Sequence, residues 1–328
     1  MALTLYYYPP SFYSQRACFA LEEKGVTYHR HVISIHSGEG MKPWYMRIQP
    51  NGTVPALKHG EIMKTDSKDI IQYLDEIAPD APKFYPDANT PGGDRVAYLS
   101  DLMHKIRIDL ITYGSACYRH HTHDCKMPKK MNLEMAKSMV DKKQAEIRKL
   151  ADENPDLREL YLAKLKVQTG RDLTNEEAFI AMLKECDSIM SQIENELVQK
   201  WKGKLDNFTV SDPWLCCNHF TAADIYLATL LHRLHYAGQV KRFWGDSKRP
   251  YLAAYYARVQ ERKSFQTACG SANNALSSIV LPKWKHRMRK AFPSLVGFSM
   301  VATTVGFAVY IRYKGFPSWW PNSLKIKS

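Results

Sequence analysis

Three short runs in this 328-residue sequence carry residue types that can do chemistry. Ser11-Phe-Tyr-Ser14-Gln-Arg16 sets two hydroxyls at a turn. A serine there either donates a hydrogen bond to a bound anion or caps the helix that follows. Asp66-Ser67 opens a helical pattern whose apolar face is Ile70, Ile71, Tyr73 and Leu74. Free N–H groups and the helix dipole welcome a carboxylate ligand at such an end, or the pair is a cap and nothing more. His120-His121-x-His123-x-Cys125 is the third run. Its spacing matches no structural zinc pattern, which needs two separated ligand pairs, and so close a set does not reach tetrahedral geometry alone. It reads as a polar loop, and no metal is expected.

The elements that position these runs follow from periodicity. Leu3 to Tyr8 is aromatic-rich and strand-like, and Pro9-Pro10 breaks it. Ser14 to Lys24 has helical spacing and closes on Gly25. Val26 to Ile33 is a second strand, which makes a βαβ unit with a parallel pair. Asn51-Gly52 turns into a strand that opens after Val54-Pro55, and His59-Gly60 turns it back along Glu61 to Lys64. The order βαβ-ββα is a thioredoxin-like layout, expected over 1–85. Beyond it the pattern is all-helical over 90–280, with long helices predicted over Asp94–Tyr113 and Glu176–Trp201. Phe220-Thr221-Ala-Ala-Asp224 sets a capping box before an apolar run. Between the two long helices lies a segment of about sixty residues, 116–175, in which Met135, Met139, Ile147 and Leu150 fall in one helical arc and Asn154-Pro155 is a breaker. Its excess of Lys/Arg serves either a partner surface or a solvated helix face.

Charge and hydropathy point to the C-terminal end. The chain has 46 Lys/Arg and 33 Asp/Glu, a net charge of +13. Nine of the bases and none of the acids lie from Leu281 onward, so residues 1–280 carry 37 against 33. A nucleic-acid face would place the excess on the folded body; that class is excluded. The excess flanks Ala291 to Ile311, a run of 21 residues without a charge. At ~1.5 Å per residue such a helix spans a hydrocarbon core of roughly 30 Å. Lys283, Lys285, Arg287, Arg289 and Lys290 precede the run and Arg312 follows it, placed to meet an anionic membrane surface. The expectation is a basic juxtamembrane segment over 281–290, a transmembrane helix over 291–311 inserted after translation as a tail anchor, and a short basic tail over 312–328. Seven scattered cysteines without a C-x-x-C fit reduced thiols in the cytosol. The N-terminus has neither a secretory nor an Arg-rich amphipathic leader.

Val54-Pro55 followed by Asp66-Ser67-x-x-Ile70-x-x-Tyr73-Leu74 resembles the glutathione-binding half of glutathione transferases. The resemblance implies a cis Val54–Pro55 bond, a Val54 backbone offered to the cysteinyl part of glutathione, and Asp66-Ser67 at its γ-glutamyl end. Asp stands at 66 where that family usually has Glu or Gln, one methylene longer. The pattern Ser11-x-x-Ser14-x-Arg16 is similar to the zeta class and implies that Ser11, or Ser14 after it, stabilises a thiolate. No cofactor is implied beyond glutathione as a ligand. Tyr7, Phe12, Tyr13 and Tyr113 are further candidates, as rings that gather at the domain cleft around a long apolar ligand.

The insertion, the tail and Phe220-Thr-Ala-Ala-Asp-Ile-x-Leu-Ala-x-x-Leu-His232-Arg233-Leu234, with Trp44-x-Met46-Arg47, Asn154-Pro-Asp-Leu157, Pro213-Trp-Leu-Cys216 and Lys248-Arg-Pro250, together resemble the ganglioside-induced differentiation-associated protein 1 family. What that implies is a glutathione transferase fold anchored by its tail in the outer mitochondrial membrane, with folded domains in the cytosol. It also implies an influence on mitochondrial fission and network shape, with weak or absent glutathione conjugation. A homodimer and mitochondrial or cytoskeletal protein partners through the insertion are expected. An active membrane-anchored transferase using a serine is the alternative.

Overall fold

The computed structural model describes residues 2–128, 132–169, 173 and 175–270. The expected span Ala291–Ile311 and the basic positions Lys283, Lys285, Arg287, Arg289, Lys290 and Arg312 lie outside the described residues. Among the described residues no helix is long and apolar enough to cross a membrane.

The N-terminal half is built on β1 (Leu3–Tyr7), α1 (Phe12–Lys24), β2 (Tyr28–Val32), a short α2 (Pro43–Met46), the hairpin β3 (Ala56–His59) and β4 (Ile62–Lys64), and α3 (Ser67–Ile77). The sheet order is β2-β1-β3-β4. β1 pairs parallel with β2, Leu5 facing Arg30, and antiparallel with β3, Leu5 facing Leu57. This is the thioredoxin-like layout that the βαβ-ββα order predicts. α1 begins two residues earlier than its periodicity suggests. Ser11, extended at φ −74° and ψ 125°, is its N-cap, and Gly25 at φ 63° closes it.

The helical half runs through α4 (Gly93–His104), α5 (Ile108–Cys117), α6 (Leu133–Glu153), α7 (Arg158–Thr169), α8 (Glu176–Trp201), α9 (Ala222–Tyr236), α10 (Val240–Phe243), α11 (Pro250–Gln260) and α12 (Lys263–Ala268). The predicted helix over Asp94–Tyr113 is broken at Arg107, which is non-helical at ψ 77°. Ile106 and Ile108 are both buried. Residues two apart point to opposite sides of a straight helix, so the break lets both enter the core. α9 is the central helix: Ala222 to Leu231 are all buried. Its N-terminus carries the expected box, with Thr221 and Asp224 each serving the other's backbone.

α6 and α7 form the insertion, and they dock on the N-terminal half. Ile147, Ala151, Leu157 and Tyr161 close a small core with Met41 and Met46. Tyr161 Oη donates to Met41 O at 2.7 Å, and Lys164 Nζ donates to Asn51 O at 2.6 Å. The arc read from sequence is only half used, because Ile147 is buried while Met135 and Met139 stay exposed at 44% and 40%. All seven cysteines are free thiols.

Candidate ligand site between the sheet and the helical domain

The turn after β1 sets both serines. Ser11 N donates to Tyr8 O at 2.8 Å, and Ser11 Oγ accepts from Ser14 N at 3.4 Å, a long cap contact. Ser14 lies inside the first turn of α1, fully buried, and its Oγ accepts from Tyr8 N at 3.2 Å. The cap role that sequence left open for Ser14 belongs to Ser11. Each hydroxyl still has a proton to donate; Ser11 is half-buried at the turn, whereas Ser14 is sealed beneath it.

The second wall is the loop into β3. The Val54–Pro55 bond is cis, and Val54 precedes the ladder that begins at Ala56, which leaves its backbone outside the β1–β3 register. The loop is held from three sides. Tyr45 Oη donates to Thr53 O at 2.7 Å. Buried Gln49 accepts from Asn51 N at 3.1 Å and donates to Thr65 O at 2.9 Å. Lys164 of the insertion reaches the carbonyls of Asn51 and Gly52. Gly52 has φ +56°, and a Cβ there would meet Gly40 O at 2.5 Å, so only glycine fits the turn.

Asp66 is the N-cap of α3: its Oδ1 accepts from Lys68 N at 2.7 Å. Asp66 is exposed, while Ser67 beside it is buried and its Oγ finds no hydrogen-bond partner among the described residues. Lys68 Nζ ties α3 to α4 through Asp101 at 2.8 Å.

Arg16 is the residue that sequence reasoning under-read. Its place as the last member of the Ser-x-x-Ser-x-Arg pattern was the available signal. The side chain is 1% exposed; Nε donates to Thr229 Oγ1 at 3.3 Å, and the guanidinium lies 4.2 Å from the Phe12 ring centre and 4.0 Å from that of Tyr226. Nη1 and Nη2 find no hydrogen-bond partner among the described residues. Burial pushes its pKa down, opposed by Tyr226, Tyr13, Tyr85 and Asp66; a guanidinium remains charged throughout the physiological range. Buried polar groups are normally satisfied. Arg16 on α1 and Ser67 on α3 therefore keep hydrogen-bonding capacity that no described residue meets. Of the four candidate rings, Phe12 and Tyr13 meet at 5.2 Å and share Arg16. Tyr7 turns toward Arg30 instead.

A thioredoxin-like sheet, a cis-proline loop and a capped α3, joined to an all-helical domain with a buried capping box, define the glutathione transferase fold. Residues 5–82 match the glutathione S-transferase N-terminal domain and residues 171–258 its C-terminal domain, together about half of the chain. The chain belongs to the glutathione S-transferase family. Within that family it is related to the ganglioside-induced differentiation-associated protein 1-like proteins. The mouse ganglioside-induced differentiation-associated protein 1-like 1 is 29% identical over 320 residues, covering 95% of this chain and 86% of that protein. Solved structures show the same fold. A β-etherase from Sphingobium sp. strain SYK-6 superposes with a TM-score of 0.58 at 21% identity, covering 81% of this chain and 98% of its own. A theta-class glutathione S-transferase from Xanthomonas axonopodis pv. citri, with glutathione bound, has a TM-score of 0.51 at 20% identity, covering 82% and 97%.

Proposed function

We propose that the chain is an adaptor on a glutathione transferase scaffold, anchored by its tail in the outer mitochondrial membrane with its folded domains in the cytosol. It acts on mitochondrial fission and network shape, and binds glutathione or a similar small anion with weak or absent conjugation. The observation that carries the low-turnover part is the use already made of the candidate groups. Ser14 is sealed against Tyr8 N, Ser11 serves as a helix cap, and the Asp66 carboxylate is spent on Lys68 N. The buried guanidinium of Arg16 adds a positive charge to α1, which favours an anionic ligand near that helix. The uncharged run Ala291–Ile311 between basic flanks supports the anchor. Exposed Met135, Met139 and Val167 on the insertion support protein partners there, and a homodimer belongs to the same reading.

One observation favours the alternative of an active, membrane-anchored transferase. Ser11 uses only a lone pair in its cap contact, so its O–H proton stays free to stabilise a thiolate. The two readings part in one assay of the full chain with glutathione and a chloronitrobenzene. Turnover abolished by Ser11→Ala makes the protein a serine-type transferase and removes the adaptor-only reading. Glutathione binding without turnover, with Ser11→Ala leaving mitochondrial morphology unchanged, supports it.

A further inference from the structure

We propose that His120, His121 and Glu176 bind a zinc-like divalent ion that clips together the two ends of the insertion. His120 and His121 sit on the 3-10 turn that follows α5, where the chain leaves the helical domain. Glu176 is the first residue of α8, where the chain returns, behind the N-cap Asn175. The Nε2 atoms of His120 and His121 lie 3.0 and 2.9 Å from the same Glu176 Oε1. The three donor atoms all fall within 4.8 Å of one another. Two ligand atoms at ~2.1 Å from one tetrahedral ion stand roughly 3.4 Å apart. The two nitrogen–oxygen distances therefore need to open by only about half an ångström to admit an ion.

The chemistry suits a borderline cation. Two imidazoles and one carboxylate form a ligand set used for zinc and for iron(II), with water in the open position. His120 is the solvent-facing ligand, its side chain 66% exposed against 24% for His121. Binding requires both rings to carry their proton on Nδ1, which frees Nε2 as a donor to the metal. The rings are backed by aromatic neighbours: His121 stands edge-on to Phe179 at 6.0 Å and His120 edge-on to Tyr118 at 6.3 Å. The His121 carbonyl is fixed by buried Gln239 Nε2 at 3.3 Å. His123 and Cys125 do not join this group; Cys125 places its Sγ 3.9 Å from Ser115 O instead. The His120–Cys125 run, read from sequence as a polar loop, thus supplies two of the ligands, and the third arrives from 55 residues downstream. Closing that long loop by coordination removes the freedom the unclipped chain would have, so metal should hold α6 and α7 to the body.

The test is calorimetric titration of the full-length protein in detergent with Zn²⁺, repeated with Co²⁺ for its absorption bands. Expected are one ion per chain, cobalt bands of nitrogen–oxygen ligation without sulfur charge transfer, and slower proteolysis of the insertion on loading. His121→Gln and Glu176→Gln should each weaken binding more than tenfold. The second keeps a hydrogen-bond acceptor for both rings, so a folding defect in the first leaves the question answerable. Three results overturn the site. Affinity unchanged in both variants does so, as do thiolate bands that persist in them, which mean a cysteine site. Absence of binding below millimolar Zn²⁺ leaves the trio a hydrogen-bonded latch.

Discussion

Asp224 has no solvent exposure, yet its carboxylate accepts four hydrogen bonds. They come from Thr221 N and Thr221 Oγ1 at 2.9 Å, and from Leu215 N and Tyr255 Oη at 3.0 Å. Burial pushes its pKa up and the bonds oppose this. Asp224→Ala strands those donors in the core and should cost about 3 kcal/mol or more, read from the urea midpoint; a loss below ~1 kcal/mol would mean that water reaches the site. His232 shows the opposite situation. Burial, with Arg233, His235 and Lys126 adding positive charge, lowers its pKa to about 3. The unfolded chain takes up a proton near pH 6.5 and the folded chain does not, so the folded state loses stability as pH falls from about 6.5 toward 3. The limiting slope is about 1.4 kcal/mol per pH unit. His232→Gln, neutral throughout, should melt with a shallower fall between pH 6.5 and 5 than the parent chain, and parallel curves would show that other groups dominate.

The insertion is the element that sequence placed but could not seat. Its helices follow from apolar spacing and from the Asn154-Pro155 breaker, both local signals. Its docking partners, Met41, Met46 and the Asn51–Gly52 carbonyls, lie more than a hundred residues away. The exposed pair Arg47–Asp156 adds little beside the buried contacts. Tyr161→Ala should therefore release α6 and α7, at about 3–5 kcal/mol of local stability by analogy with other large aromatic truncations. The check is hydrogen exchange: α7 amides should lose protection while those of α9 keep theirs. Equal loss in both would mean that the insertion and the main core unfold as one unit. Because Lys164 also holds the loop before Val54–Pro55, the same variant should weaken the proposed binding of glutathione.

At the scale of the whole molecule the folded half and the tail have separate tasks in the proposed function. Lys283, Lys285, Arg287, Arg289 and Lys290 offer five positive charges beside the uncharged run, and each such charge near an anionic surface is worth about 1 kcal/mol. Replacing all five with Ser should redirect the protein from mitochondria toward the endoplasmic reticulum in cell imaging. Unchanged mitochondrial location would place the address elsewhere. Deleting 281–328 should leave ligand binding intact and abolish any effect on network shape.

The amino-acid sequence by itself determined whatever depends on neighbours a few residues away. The βαβ-ββα order, the Asp66 cap of α3 and the Thr221–Asp224 box were readable because period and capping are settled within about one helical turn. Ser11 and Ser14 were readable as candidates, but which one caps and which is sealed depended on where Tyr8 turns its N–H. Only the tertiary structure brought Arg16 to Thr229, Lys164 to Asn51, and His120 and His121 to Glu176. The reason is physical: buried polar groups take whichever partner the packing of distant helices delivers. No spacing along the chain encodes that choice.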